Sequence, residues 1–283
     1  MSGGTDVVLG LIAGQGAFPL TVARAAHARG QKLLCVAFRD LTDPAIDAVL
    51  PDVRWIHLGE VMDGVAALRS GGVSEAVMAG KVPKGLLFGD VAALRMDGSA
   101  EALMGQLQDQ RDDTILGKVA DFLALAGIQL LPQWALAPEL LLPLGPLGAV
   151  ALTPEQQADV AFGFPIAKQI GELDIGQTIV VKRCAVIAVE AIDGTDATIR
   201  RAGEIVAGTC VVKVAKPRQD PRFDVPTIGP ATVECLVSAG AAALAFEAGA
   251  TVVLDRPEVV RLADAHGIAV VGVDTESLAS EAG

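Results

Sequence analysis

Between positions 182 and 222 the chain carries Lys182, Arg183, Arg200, Arg201, Lys213, Lys216, Arg218 and Arg222, eight of its 22 lysines and arginines. Interleaved with them are Glu190, Asp193, Asp196 and Asp220, with Asp224 just beyond. Such a mixture suits a metal-bound phosphate: carboxylates hold a hard cation such as Mg2+ or Mn2+, and the cationic side chains take the remaining oxygens. A solvated, salt-bridged surface would have the same composition. Two features favour a site. DGTDATIRR at 193–201 sets glycine, threonines and carboxylates between an apolar strand and a helix start, and KPRQDPRFDVPTIGP at 216–230 is a long polar loop with four prolines. Polar loops held on rigid elements are where binding chemistry sits. In this reading Glu190 and Asp193 are metal ligands, Asp196 and Lys216 are catalytic, and Thr195, Lys213 and Arg222 contact substrate.

A second candidate is the turn GLIAGQGAFP at 10–19. Gly14, Gln15 and Gly16 lie where a strand hands over to a helix, so the backbone can approach a phosphate at the helix N-terminus. The dinucleotide fingerprint needs a further glycine three positions after Gly16, and Pro19 stands there. AGKVPKG at 79–85 follows another strand and brings Lys81 and Lys84 to the same edge; Val82 rules out a Walker loop. A nicotinamide-dependent dehydrogenase, using the Gly14-x-Gly16 turn and Asp40, is an alternative. A lipid or nucleotide-sugar carrier is another, because it would keep a crevice without needing the carboxylates.

Other chemistries lack their residues. The chain contains no G-x-S-x-G elbow for acyl transfer. His27, His57 and His266 are isolated, and one of Asp112 and Asp113 is explained by capping a helix. Cys35, Cys184, Cys210 and Cys235 form no C-x-x-C pair, so reduced, mostly buried cysteines are expected, with no zinc. The net charge is −12 and aromatic content is 4%, with no tyrosine. That excludes a basic nucleic-acid binder and leaves few stacking platforms.

These residues are positioned by an alternation of strands and helices. Strands are expected at 6–13, 32–38, 53–58, 75–80 and 128–131, and helices at 18–29, 60–70, 97–109 and 112–126. This predicts an α/β fold with an N-terminal Rossmann-like parallel sheet over 1–132. The stretch 133–152, apolar and rich in proline, reads as a linker; its prolines and Glu139 argue against a membrane span. Thr153, Pro154 and Gln156 then open a helix with a capping box. A second α/β domain over 153–283 has β-like runs at 178–192 and 209–215. It continues with helix 230–248, strand 251–254, helix 256–266 and strand 268–273.

GLIAGQGAFP, AGKV at 79–82, DDTILGKVADFL at 112–123, AVEAIDGTDATIRRAG at 188–203 and VKVAKPRQDPRFDVPTIGP at 212–230 together resemble the LpxI-type UDP-2,3-diacylglucosamine pyrophosphatases of lipid A biosynthesis. The resemblance implies Mg2+-dependent hydrolysis of that sugar nucleotide to UMP and lipid X. It also implies a crevice between two domains for the lipid and a homodimer. The aspartate of RFD, Asp224, becomes the essential acidic group, at once catalytic and a metal ligand. The stretch 134–152 would supply apolar walls for acyl chains, and the protein would be cytoplasmic, meeting the inner membrane peripherally.

Overall fold

The computed structural model describes residues 7–83, 97–98 and 112–281. Lys84, the side chains of Asp112 and Asp113, and nearly all of the helix expected at 97–109 lie outside this set. Contacts divide the chain into two units. Unit 1 runs to Pro138 and also includes Asp220–Asp224; unit 2 comprises Glu139–Gln219 and Val225 onward.

In unit 1, the short runs rich in apolar residues become β1 (Leu9–Ala13), β2 (Leu33–Phe38), β3 (Val53–Ile56), β4 (Glu75–Ala79) and β5 (Gln129–Leu130). All are parallel, in the order β3-β2-β1-β4-β5. This is the Rossmann-like arrangement expected. Helices α1 (Ala17–Ala28), α2 (Val61–Ser70) and α3 (Asp112–Leu125) make the crossovers. Leu34, Val36, Leu68, Leu123 and Ile128 are buried in one core. The order reverses between β1 and β4, and beside such a switch point open α/β sheets form their ligand crevice.

Unit 2 is also α/β. Its main sheet runs β6 (Gly145–Pro146), β13 (Ala269–Val273), β11 (Ala243–Glu247), β9 (Cys210–Lys213), β7 (Thr178–Lys182), β8 (Ala185–Val189). The central three strands are parallel, and β6, β7 and β8 pair antiparallel. A small parallel pair, β10 (Thr227–Ile228) with β12 (Val252–Val253), stands apart. Helix α4 (Pro154–Glu172) covers one face, with the expected Thr153–Gln156 capping box. Its Phe164 and Ala167 pack with Ile179 and Val212. Helices α5 (Thr195–Ile205), α6 (Pro230–Ser238) and α7 (Arg256–Ala265) contribute to the core that holds Phe246, Leu244 and Val211. Helix α8 (Thr275–Glu281) closes the described chain.

Three expectations change. The helix expected over 230–248 stops at Ser238; Gly240 takes φ +65, and Ala243–Glu247 become a central strand. A short, wholly apolar run reads equally as buried helix or strand, and pairing with β9 on one side and β13 on the other decides it. The run 178–192 is a hairpin: Arg183 and Cys184 both take positive φ, the backbone a type I′ turn demands. The stretch 133–152 does not stand free as a connector. Gln133 belongs to unit 1, whereas Leu142 and Leu147 are buried in the unit 2 core and Gly145–Pro146 pairs with β13.

Phe246 is 1% exposed, so Phe246→Ala should cost about 3–5 kcal/mol of unit 2 stability through lost transfer energy and a residual cavity. Thr153→Ala, which removes only the hydroxyl of the capping box, should cost about 1 kcal/mol. Chemical denaturation followed by circular dichroism checks this ranking; Thr153→Ala as damaging as Phe246→Ala would contradict it.

Candidate active site

In unit 1 the glycine turn and Lys81 meet at the switch point. The Gln15 amide donates to the Lys81 carbonyl at 2.8 Å, the Lys81 amide to the Gln15 carbonyl at 3.0 Å, and the Gly14 amide to the Ala79 carbonyl at 2.8 Å. A Cβ on Gly14 would sit 2.8 Å from the Lys81 carbonyl oxygen, and one on Gly80 would sit 2.7 Å from the Gln15 carbonyl oxygen. These two glycines therefore answer to the close approach of two backbone segments. Gly16 is different: it takes φ +98 at the N-cap of α1, and a Cβ there would meet nothing. Gln15, Gly16 and Lys81 are exposed at this edge. Pro19 is buried, its ring against the space where a Gly80 Cβ would project.

Residues 220–224 join unit 1 although their sequence neighbours belong to unit 2. Phe223, 8% exposed, is buried in the unit 1 core with Leu130, Ile128 and Leu123. Just past the carboxyl end of β5, the Gln133 amide donates to the Pro221 carbonyl at 2.9 Å while its side-chain amide donates to the Met78 carbonyl at 2.9 Å. Arg222 forks onto Asp220, Nε to Oδ1 at 2.9 Å and Nη2 to Oδ2 at 2.6 Å. The guanidinium lies 5.6 Å from the Phe223 ring centroid, a cation–π distance. Asp224, half-buried, follows directly, its amide donating to the Asp220 carbonyl at 3.2 Å. Arg222, expected to touch substrate, is thus engaged by Asp220.

Unit 2 gathers a buried polar group at the edge where β8 and β9 end and β7 begins. Thr195, the first residue of α5, donates from Oγ1 to Glu190 Oε1 at 2.8 Å and accepts from Lys213 Nζ at 3.0 Å. The Gln177 amide donates to Glu190 Oε2 at 3.2 Å. Glu190 and Lys213 are 7% and 6% exposed. Thr178, fully buried and opposite Lys213 in the β7–β9 register, has a hydroxyl with no hydrogen-bond partner among the described residues. The structure therefore brings Glu190, expected as a metal ligand, together with Thr195 and Lys213, expected as substrate contacts. Lys216 lies farther along, its Nζ 2.7 Å from Asp174 Oδ1 and its amide donating to Gln219 Oε1 at 2.8 Å. Gln219 in turn donates to Gln177 at 3.3 Å.

The neighbouring charges are largely matched. Lys182 and Arg183 lie near Glu155, Arg200 near Asp196, Arg201 against Asp193 and Arg218 near Glu172. Asp196 is exposed on the first turn of α5, where a carboxylate favours the helix dipole. Burial alone would raise the Asp193 carboxyl, but the Ala191 amide and Arg201 hold it below the usual carboxylate range. These contacts test the expected metal ligands. Both Glu190 oxygens accept hydrogen bonds, Asp193 serves Arg201 and Ala191, and Asp224 belongs to unit 1. Among the described residues no three His, Cys, Asp or Glu side chains are grouped to hold a metal ion. Glu190 and Asp193, expected as metal ligands, are thus already engaged by local donors.

Some functional neighbours were not legible. Gln133, Gln177 and Gln219 gave no sequence signal, since glutamine serves equally well on any surface. Phe223 did give one: a lone aromatic in a polar, proline-rich loop must bury its ring somewhere. Burial pushes the Cys35 and Cys210 thiols up to about 12. Cys184 is exposed, and all four cysteines are free.

Polar groups gathered at the carboxyl edges of strands in two α/β units, one Rossmann-like and one mixed, define a two-unit α/β protein of the ligand-binding kind. Residues 8–140 match the LpxI N-terminal domain and residues 143–271 the LpxI C-terminal domain. The chain belongs to the LpxI family. It is 35% identical over 280 residues, spanning 95% of this chain and 98% of the relative, to the UDP-2,3-diacylglucosamine pyrophosphatase LpxI of Caulobacter vibrioides.

The Asp220–Arg222 fork has a pH consequence. Hydrogen bonding from Arg222 holds the Asp220 carboxyl below its ordinary 3.8 despite partial burial. Its contribution to stability is present above that ordinary value and is lost as pH falls through the lower folded value. Thermal melts from neutrality to about pH 2 should therefore fall more steeply for the parent than for Asp220→Asn. Equal slopes would remove this pair from the acid response.

Proposed function

We propose that this chain hydrolyses the pyrophosphate of UDP-2,3-diacylglucosamine, giving UMP and 2,3-diacylglucosamine 1-phosphate (lipid X), a step of lipid A biosynthesis. The observation that carries this reading is the end-to-end match to a relative of that name, covering both units. The geometry supports it. Asp224 follows a buried anchor and stands on a segment held by Gln133 and Phe223. Lys213 is a buried cation whose ammonium is oriented by a threonine hydroxyl. In phosphoryl chemistry catalysis is mostly positioning and electrostatic stabilisation, and oriented groups of this kind supply it.

In this proposal Asp224 orients the attacking water or takes up its proton, Lys213 and Lys216 offset charge on phosphate oxygens, and the exposed Gln15 and Gly16 at the start of α1 receive part of the nucleotide. Asp196 and Arg222 have lesser parts, since Arg200 and Asp220 respectively stand beside them. A requirement for Mg2+ or Mn2+ rests on the substrate, whose pyrophosphate carries such an ion as its counter-charge; no step here runs through a resident metal. Peripheral membrane contact, a cytoplasmic location and a homodimer complete the proposal. No described helix is long and apolar enough to cross a membrane.

Release of UMP from UDP-2,3-diacylglucosamine by the purified chain is the direct test. Activity should be lost in EDTA and return with Mg2+ or Mn2+; full turnover in EDTA after exhaustive dialysis would defeat the cation requirement. Asp224→Ala should lower kcat by roughly 10²–10⁴ with little change in melting temperature, because the carboxylate is half-buried and lies outside the apolar core. A variant that melts normally and turns over within about threefold of the parent would remove Asp224 from the mechanism.

A further inference from the structure

A lysine–glutamate pair that the proposed reaction does not use grips the root of the loop leading to Asp224. Glu247 ends β11, and Lys168 lies in the C-terminal part of α4. Lys168 Nζ stands 3.0 and 2.9 Å from the two Glu247 carboxylate oxygens. It also donates to the Ala215 carbonyl at 2.8 Å, while the Ala215 amide donates to Glu247 Oε2 at 2.8 Å. One ion pair thus holds both main-chain polar groups of a single residue.

Ala215 is outside any helix or strand. The β9–β11 register ends at Lys213 opposite Phe246, so the sheet itself does not hold Ala215. Glu247 substitutes a carboxylate for the next rung of the ladder, and Lys168 ties that rung to α4. The two side chains are 28% and 19% exposed, so solvent screens them less than an open surface pair. Losing either would strand a partly desolvated charge. Lys213 lies two residues before the gripped position and Lys216 directly after it.

We infer that Lys168 and Glu247 are positioning residues, which fix the main chain at Ala215 and so set the direction in which residues 216–224 leave the sheet. The activity arm of this inference rests on the pyrophosphatase reading; the structural arm does not.

The test compares the full chain with Glu247→Ala, Glu247→Gln and Lys168→Met, reading amide hydrogen exchange over 213–219, kcat and KM for UMP release, and melting temperature. In Glu247→Ala, exchange at 215–219 should rise at least about tenfold while the rest of unit 2 is unchanged, as local opening without global unfolding. Its kcat should fall about 10–100-fold with KM within about threefold, a loss that a displacement of about an ångström produces. Glu247→Gln keeps a carbonyl oxygen for the Ala215 amide and should recover most of kcat. A purely structural role would instead lower the melting temperature and leave kcat per folded molecule untouched.

Unchanged exchange at 215–219 in Glu247→Ala overturns the clamp. Raised exchange with kcat within about twofold of the parent overturns its part in the reaction. If Glu247→Ala does not fold, Lys168→Met decides by the same readouts: raised exchange with lowered kcat supports the inference, and parental values of either sink it. A parent chain that releases no UMP refutes the pyrophosphatase reading, and the exchange measurement then judges the clamp by itself.

Discussion

Burial of one phenyl ring organises the candidate site. Phe223 comes from a loop of charged residues and prolines, yet its ring lies in the core of unit 1 among Ile128, Leu130 and Leu123. An aromatic ring buried this way contributes about 1.5–3 kcal/mol toward offsetting the entropy of ordering the segment. The polar contacts around it depend on that anchorage: the Gln133–Pro221 hydrogen bond, the Asp220–Arg222 fork and the placement of Asp224 one residue further on. Pro217, Pro221, Pro226 and Pro230 restrict the unfolded loop, so less freedom is lost when it is pinned.

The carboxyl edges of the parallel strands give both units the same logic. Chain leaving such a strand must turn toward its crossover, and its polar groups collect at the turn. In unit 1 the turns after β1 and β4 approach so closely that Gly14 and Gly80 leave no room for a Cβ. In unit 2 Lys213 and Glu247 end β9 and β11 and Glu190 follows β8, each already hydrogen-bonded. A polar path runs from Lys213 through Thr195, Glu190, Gln177 and Gln219 to Lys216. Satisfied buried polar groups of this kind rigidify a site.

Environment, more than residue type, separates the acidic groups. Asp193 and Asp220 are held in their charged forms by Arg201 and Arg222, and Asp174 and Glu247 accept from lysines. The concentration of cations over 182–222 is thus largely a set of local pairs, many of them exposed and individually weak. Lys213 stands apart by its burial and its threonine partner.

Much of this was settled within short windows of sequence. Apolar runs of four to eight residues alternating with helical patterns were enough for the Rossmann-like sheet, and Thr153, Pro154 and Gln156 were enough for the start of α4, because hydrogen bonding there is local. Glu190, Thr195 and Lys213 each stood out in the sequence as candidates, but their sharing of one hydrogen-bond chain did not. Tertiary structure decided what depends on partners distant in the chain. Ala243–Glu247 is a strand only because β9 and β13 flank it. The stretch 133–152 divides because Leu142 and Leu147 have a core to enter. Glu190 and Asp193 are taken up by neighbours that composition could not assign. Asp220–Asp224 belongs to unit 1 because Phe223 finds its apolar surroundings there, and no local pattern says which of two cores will accept a ring.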